Sequence, residues 1–266
     1  VAGMDINKSA SLTVGVAGAS ANVFQQSDYG IISRNTNLTV LNSTFKDILV
    51  GSGGTGMGIW GRDGAKLTQT GLGQTNAATF DNVHYGVYIT NSSFKVKDNL
   101  MTNVQGRGVE VSSATVAAND FNNIENNTIL TISNGIYLAN NNVKIRVLNN
   151  TITNSLDKNV FGIYCGGTSN TGAKTYDVRG NKVTIKSDPS NVNTYGAGIL
   201  LTNTFSPNAQ GNTIQINNYT LSLTPPPGQN NNNGYYPYIY GILETNDKDS
   251  RFCSNNITGV NTHGWG

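Results

Sequence analysis

The sequence has few charged residues and no long apolar runs, and both shortages exclude classes of protein. Asp, Glu, Lys and Arg make up only 12% of the 266 residues, and the net charge is +2. No run of Lys or Arg occurs, so the sequence argues against a nucleic-acid-binding protein, which needs clustered basic residues. The apolar stretches are only a few residues long, which predicts no membrane-spanning helix.

Cysteine and histidine are also scarce. Cys165 and Cys253 form no C-x-x-C motif, and only His84 and His263 could join them at a metal. We therefore predict neither a structural metal nor a cofactor, and two cysteines in a chain of this length do not make a disulfide framework.

Helical periodicity is missing as well, and two short motifs alternate along the chain instead. One motif is Gly followed by Ile or Val, as in "YGIIS" from residue 29, "YGVYI" from 85 and "NGIYL" from 134. The other is an apolar residue, two spacers, Asn, one spacer and an apolar residue, as in "VLNNTI" from 147. Copies from residues 40 and 78 carry Ser43 and Asp81 in the Asn place. Short strands that repeat every ~20 to 45 residues predict an all-β solenoid, and the absence of four-strand blade signatures favours a parallel β-helix over a propeller.

Stacked coils should align equivalent residues in columns about 4.8 Å apart. We predict an Asn ladder at a left-handed bend, in which each amide bonds the next. The predicted ladder is Asn99, Asn119, Asn150, Asn181, Asn212 and Asn255. The neighbours predicted to point inward are Val96, Val116, Val147, Val178, Met101, Phe121, Ile152, Val183, Ile214 and Ile257. A second inward column should follow the glycines: Ile31, Ile59, Val87, Val109, Ile136, Ile163, Ile199 and Ile242.

With its "N-x-I" and "G-I-Y" motifs, the chain resembles bacterial right-handed parallel β-helix repeat proteins of the pectate-lyase-like superfamily, over roughly residues 29 to 260. The resemblance implies a right-handed solenoid of about eight coils. We expect residues 1–28 to be an N-terminal cap or incomplete first coil, and residues 29–266 to be the β-helix with an inserted loop at about 219–239. The start at Val1 suggests a mature form or an excised part of a larger polypeptide.

The resemblance also brings enzymes into consideration, because the family includes polysaccharide lyases, glycoside hydrolases and epimerases. The polygalacturonase-like set "NTD", "DD", "GHG" and "RIK" is not present as a set, and neither is the epimerase "DPHE" motif. Glu110, Asp177 and Glu244 are isolated along the chain. We therefore predict no catalytic residues, although stacking could still bring carboxylates of adjacent coils into a composite site.

One outward position is unusually aromatic. Because strand side chains alternate, the second residue after each anchor Gly should face outward. Read coil by coil, this position holds Ile32, Trp60, Tyr88, Glu110, Tyr137, Tyr164, Leu200 and Leu243. The candidate binding residues are Trp60, Tyr88, Glu110, Tyr137 and Tyr164, which would form a stacking platform for a glycan or a partner chain. The alternative is that loops between coils fold over this face, and Tyr235, Tyr236, Tyr238 and Tyr240 could serve either purpose.

The sequence thus favours a non-catalytic adhesion or structural module of a secreted or cell-surface protein, with a polysaccharide or surface partner. The alternative is a carbohydrate-active β-helix enzyme, which would need at least two carboxylates and a Lys or Arg in one cleft. For the cysteines we predict free thiols, since Cys165 should point inward and Cys253 outward, about three coils or ~14 Å apart along the axis.

Overall fold

A computed structural model of the chain describes residues 2–16, 20–50, 56–71, 78–116, 122–141, 143–155, 159–167, 176–186, 195–204, 207–217 and 238–259. Within these ranges the chain forms 27 β-strands in three parallel sheets of nine strands each. The described part of the chain contains no helix long and apolar enough to cross a membrane.

The three sheets, here named A, B and C, each take one strand from every coil. Sheet A consists of β1 (Ala2–Asn7), β4 (Tyr29–Arg34), β7 (Met57–Arg62), β10 (Tyr85–Thr90), β13 (Arg107–Ser112), β16 (Ile136–Asn141), β19 (Asn159–Gly167), β22 (Tyr195–Thr202) and β25 (Tyr238–Thr245). Sheet B consists of β2 (Leu12–Val14), β5 (Asn37–Leu41), β8 (Lys66–Thr70), β11 (Ser93–Lys97), β14 (Asn122–Glu125), β17 (Ile145–Leu148), β20 (Tyr176–Arg179), β23 (Asn208–Gln210) and β26 (Arg251–Cys253). Sheet C consists of β3 (Asn22–Gln25), β6 (Ser43–Ile48), β9 (Phe80–Val83), β12 (Leu100–Val104), β15 (Thr128–Thr131), β18 (Thr151–Ser155), β21 (Lys182–Lys186), β24 (Thr213–Asn217) and β27 (Asn256–Gly259).

This strand order is that of a parallel β-helix and confirms the predicted fold class. The described residues form nine coils, one more than the eight counted from the anchors, because β1, β2 and β3 give each sheet a strand ahead of the first anchor. Residues 2–25 therefore contain a full set of coil strands where the sequence suggested a cap or an incomplete coil. The predicted loop at 219–239 lies outside the described residues, apart from the first residues of β25.

The core is a set of columns that run along the solenoid axis. The sheet C column aligns Phe24, Phe45, Phe80, Met101, Ile129, Ile152, Val183, Ile214 and Ile257. Its three phenyl rings stack face to face, with centroids 5.1 Å apart for Phe24 and Phe45 and 4.8 Å for Phe45 and Phe80. The predicted column after the glycines is also confirmed, since Ile31 to Ile199 are fully buried and Ile242 in the last coil is half-buried. Ile257, also in the last coil, remains 50% exposed.

The anchor glycines lie where sheet C turns into sheet A, and steric crowding explains them. A Cβ at Gly135 would lie 2.4 Å from Ile152 Cγ2 and 2.7 Å from the carbonyl oxygen of Gly162 in the next coil. Gly108 is equally crowded, with Ile129 Cγ2 at 2.5 Å. Only Gly lets this corner of the backbone approach the sheet C column so closely.

The Asn ladder exists, but one predicted member is replaced. Asn99, Asn150, Asn181, Asn212 and Asn255 are in it, and Asn127 fills the place assigned to Asn119, which lies outside the described residues. In each step Nδ2 donates to Oδ1 of the next Asn at 2.9–3.0 Å. The prediction that Val116 points inward is wrong, since it is 75% exposed.

The sequence from residue 124, "IENNTI", fits the motif as well as the stretch from 116 does, and it supplies both the ladder residue and the buried Ile124 and Ile129. Asp81 does not take the Asn place either. Phe80, directly before it, is the core residue aligned with Met101, and the Asp81 carboxylate accepts hydrogen bonds from Thr102 and Asn103. Gln69 instead starts the ladder by donating Nε2 to Asn99 Oδ1 at 3.0 Å.

The backbone reason for the ladder also differs from the prediction. The left-handed residue is the one before each ladder Asn: Asp98, Asn126, Asn149, Gly180, Gly211 and Ser254 have φ between 54° and 64°. The ladder Asn itself is selected by hydrogen bonding, because its side chain satisfies buried backbone groups at the bend between sheets B and C.

Candidate functional site

The outward face of sheet A carries the predicted aromatic column. Strand pairing places Trp60 beside Tyr88, Tyr88 beside Glu110, Glu110 beside Tyr137 and Tyr137 beside Tyr164. All five predicted binding residues are half-buried. Ile32 and Leu200, which continue the column at either end, are buried at 6% exposure each. The aromatic members of the column thus remain partly accessible, whereas its aliphatic ends are covered.

The first cluster of rings surrounds Trp60. Tyr29 stacks on Trp60 with centroids 5.7 Å apart, and Trp60 meets Tyr88 at 6.1 Å. Tyr85 packs beside Tyr88 at 5.8 Å. The guanidinium of Arg62 lies 4.4 Å from the Trp60 ring centroid, and Nε1 of Trp60 donates to Thr90 Oγ1 at 3.2 Å. These contacts fix the rings in place before any ligand arrives.

The second cluster lies further along the same face. Tyr137 and Tyr164 stack nearly parallel, with centroids 4.3 Å apart and planes 9° apart. Phe161 tilts against Tyr164 at 5.6 Å. Since the coils advance by about 4.8 Å, this stack follows the pitch of the solenoid.

An ion pair separates the two clusters. Arg107 Nη1 lies 2.5 Å from Glu110 Oε1, and the Arg107 guanidinium lies 3.7 Å from the Tyr137 ring centroid. Only 12% of the Glu110 side chain is exposed, and burial raises its pKa although the nearby Arg107 pulls the pKa down. Burial lowers the pKa of His84, and the positive charge of Arg107 lowers it further. The His84 ring packs edge-on against Tyr85, with ring centroids 4.5 Å apart.

Three phenols of this face have a pKa raised above the ordinary value of 10.0. Burial is the main reason for the raised pKa of Tyr85 and of Tyr88, and the negative charge of Glu110 raises both further. Burial is also the main reason for the raised pKa of Tyr164, and the neighbouring Tyr137 raises it further. A protonated phenol can both donate and accept a hydrogen bond, as a sugar hydroxyl requires.

Sequence reasoning missed half of this surface. In several coils the residue directly before the anchor Gly also faces outward and is half-buried. This residue is Tyr29, Tyr85, Arg107 or Phe161 in four of them. The signal was readable in the quoted motifs, because "YGIIS", "YGVYI" and "FGIYC" each begin with an aromatic residue. Of the loop tyrosines, Tyr235 and Tyr236 lie outside the described residues, and Tyr240 is half-buried in β25.

Outside this face, the His, Cys, Asp and Glu side chains of the described residues do not form a cluster that could bind a metal, since no three of them come together. Both cysteines are free thiols as predicted, with Cys165 buried and Cys253 exposed. Burial raises the pKa of the Cys165 thiol, so it is a core residue with little nucleophilic character.

The fold and the columns define a class, that of parallel β-helix proteins with an Asn ladder. The family model for a right-handed β-helix region matches residues 6–183, and the chain belongs to this family. The right-handed fold expected from the resemblance is thereby confirmed. No curated protein and no solved structure is significantly similar to the chain.

Proposed function

We propose that this β-helix is a non-catalytic glycan-binding module of a secreted or cell-surface protein, and that an extended saccharide lies along the outward face of sheet A. The observation that carries the proposal is the column of Trp60, Tyr88, Tyr137 and Tyr164, with rings held by neighbouring rings and partly accessible. Sugar rings present apolar C–H faces that stack on aromatic rings, while their hydroxyls need hydrogen-bond partners.

Pitch and polarity support a sugar ligand. The coils repeat every ~4.8 Å, which is close to the length of one sugar unit, so consecutive units could contact consecutive coils. Glu110 and Arg107 interrupt the rings with acceptors and donors for hydroxyl groups. Because the two charges neutralise each other, the centre of the face suits an uncharged saccharide.

The alternative, a carbohydrate-active enzyme, has one specific observation in its favour. Burial raises the pKa of Glu110, as is typical of a general acid. Glycosidases, however, work with two carboxyl groups about 5 to 9.5 Å apart, and the ion-pair partner of Glu110 is Arg107. We therefore place binding ahead of catalysis.

The test is the double variant Tyr88→Ala plus Tyr137→Ala on a glycan array, followed by calorimetry with each glycan that binds the wild type. With about 1 kcal/mol per stacked ring, affinity should fall at least about tenfold. The thermal midpoint should fall only modestly, because each change also removes ring contacts within the face. The control is Thr153→Ala plus Thr184→Ala, which changes half-buried positions on the outward face of sheet C. Undiminished binding by the tyrosine variant would exclude this face, and a large fall in the thermal midpoint would mean that the rings serve packing.

A second assay separates binding from catalysis. Wild-type protein is incubated with uronate polymers, and unsaturated products are followed by their ultraviolet absorbance. The proposal expects no release of such products. Release that is abolished in Glu110→Gln would establish the enzyme and overturn the non-catalytic function.

A further inference from the structure

Sheet B carries a concentration of positive charge that is hidden along the sequence. Its nine strands contain six basic residues, Lys66, Lys95, Lys97, Arg146, Arg179 and Arg251, and two acidic ones, Glu125 and Asp177. The net charge of these strands is therefore +4, whereas that of the whole chain is +2. The residues are up to 185 positions apart (from 66 to 251), so only coil stacking brings them together.

Sheet A is balanced by comparison. Its three arginines each have a carboxylate within reach, with Arg34 at 2.6 Å from Asp5, Arg62 at 2.6 Å from Asp63 and Arg107 at 2.5 Å from Glu110. The strands of sheet B carry six cations for two carboxylates, and one further carboxylate, that of Asp98 directly after β11, lies 3.8 Å from Lys97 Nζ. The two faces therefore differ in the ligand charge that they favour.

The centre of the sheet B face is organised around one carboxylate. Arg179 binds Asp177 through two nitrogens, Nε at 2.6 Å and Nη2 at 2.7 Å. Arg146 Nε lies 3.8 Å from the same carboxylate, and Asn208 donates Nδ2 to it at 3.0 Å. Asp177 is 12% exposed and orients the Arg179 guanidinium at the surface, with the Arg146 guanidinium close to the same carboxylate. Preorganised guanidinium groups suit planar or tetrahedral oxyanions.

Exposed cations extend this centre in both directions along the axis. Lys95 and Lys97 lie on β11, three coils from Asp177 on β20, and Arg251 lies on β26, two coils beyond Asp177. All three side chains are exposed. The charged track from β11 to β26 spans five coil steps, or about 24 Å.

We propose that the outward face of sheet B is a second binding surface, and that it holds a linear anionic glycopolymer along the solenoid axis. Acidic groups that recur along a sugar chain would meet cations that recur every one or two coils. A nucleic acid fits less well, because none of the outward residues on the described strands of sheet B is aromatic, whereas single-stranded nucleic acids need rings on which bases stack. This surface is independent of the aromatic face of sheet A, so either proposal can fail alone.

The experiment uses fluorescein-labelled dodecamers of heparin, polygalacturonate, polyphosphate and a neutral α-glucan, with oligo-dT as the nucleic-acid probe. Binding to wild-type protein is followed by anisotropy while NaCl is raised from about 50 to about 200 mM. We expect binding of sulfated or carboxylated saccharide that weakens at least about tenfold over this range, as ionic contacts do. The neutral glucan and oligo-dT should bind more weakly. The heparin and polygalacturonate arms show which acidic group is preferred.

Two triple variants with the same change in charge locate the surface. Lys95→Gln, Lys97→Gln and Arg251→Gln together should weaken polyanion binding at least about tenfold and flatten its salt dependence. Lys46→Gln, Lys182→Gln and Lys186→Gln together remove three exposed cations from sheet C and should leave affinity within about twofold. Equal losses in both triples would mean unspecific attraction to net charge, and preferred binding of polyphosphate or oligo-dT would mean a different ligand class. Either result overturns the proposal.

Discussion

Asn181 donates both its backbone N–H and its Nδ2 to Oδ1 of Asn212, at 3.0 Å in each case. Its Nδ2 also donates to the carbonyl oxygen of Val147 at 2.8 Å, and its Oδ1 accepts two bonds from Asn150. One buried amide therefore completes the hydrogen bonding of three coils. The bend between sheets B and C depends on this relationship, which is repeated along the stack.

Asn181→Leu should strongly destabilise the β-helix. The change removes four side-chain hydrogen bonds and leaves the backbone N–H of Asn150 and the carbonyl of Val147 buried without these partners. At about 1 to 3 kcal/mol for each of these two buried groups, we expect a loss of about 2 to 6 kcal/mol in the free energy of unfolding, measured by urea denaturation. Lys182→Leu, at the exposed position next to it, should change stability by less than about 0.5 kcal/mol. If both variants lost the same free energy of unfolding, the Asn ladder would contribute little to stability.

The fold was predictable because stacking makes every coil obey the same rules. Gly appears where a Cβ would strike the core, as at Gly135, and Asn where buried backbone groups need an amide, as at Asn181. The error at Asn119 and Val116 arose because two motif-like stretches, from residues 116 and 124, compete within one coil. Only the packed structure selects Asn127, through its bonds to Asn99 and Asn150.

The candidate surfaces were less predictable, because they combine residues from different coils. The alternation of strand side chains predicts the outward position of Trp60 and Tyr88. The ring contacts with Tyr29 and Tyr85 do not follow from alternation, because the anchor Gly and the residue after it both point inward at this corner. The charged track of sheet B could not be read from a chain without basic runs. It needs the strand pairing that places Arg146 beside Asp177.

Gly135→Ala should test the crowded corner. The added methyl would meet Ile152 Cγ2 and the Gly162 carbonyl oxygen, so overpacking should cost about 1 to 3 kcal/mol of unfolding free energy, measured by urea denaturation. In the double variant Gly135→Ala plus Ile152→Ala, the smaller side chain at 152 should make room for the methyl. The two losses should therefore be less than additive. Strict additivity would show that Ile152 is not the cause of the requirement for Gly.

The pH dependence of stability should include a contribution from Glu110. Burial raises its pKa in the folded protein above the ordinary value of 4.5. At a pH between the pKa of Glu110 in the unfolded chain and its higher pKa in the folded protein, the folded protein binds the Glu110 proton more strongly than the unfolded chain does. The free energy of unfolding contributed by Glu110 therefore falls as pH rises through this window. Urea denaturation at several pH values should show a smaller fall for Glu110→Gln than for the wild type. Parallel curves would mean that Arg107 fully compensates the burial.

The two thiols should react differently with an alkylating agent. Cys253 is exposed, whereas Cys165 is buried and its thiol has a raised pKa. Intact-mass analysis without reductant should give one adduct on the native protein and two after denaturation. The variant Cys253→Ser should give none on the native protein. Two adducts on the native protein would show that the core at Cys165 opens readily, and none after denaturation would reveal a disulfide.

Glu244 occupies an inward column at the last described coil, in line with Cys165 and Leu201. A charged side chain that points inward at a sheet edge is a known means of preventing further strands from adding to that edge. Around it the last coil leaves Phe252 and Ile257 exposed by 40% and 50%, and Ser250 Oγ donates to Glu244 Oε1. Glu244→Leu should therefore make this end apolar and promote end-to-end association with a second copy. Sedimentation velocity should show oligomers that grow with concentration for Glu244→Leu, and a constant sedimentation coefficient for the outward control Thr245→Leu. If both variants remain like the wild type, Glu244 does not control association at this end.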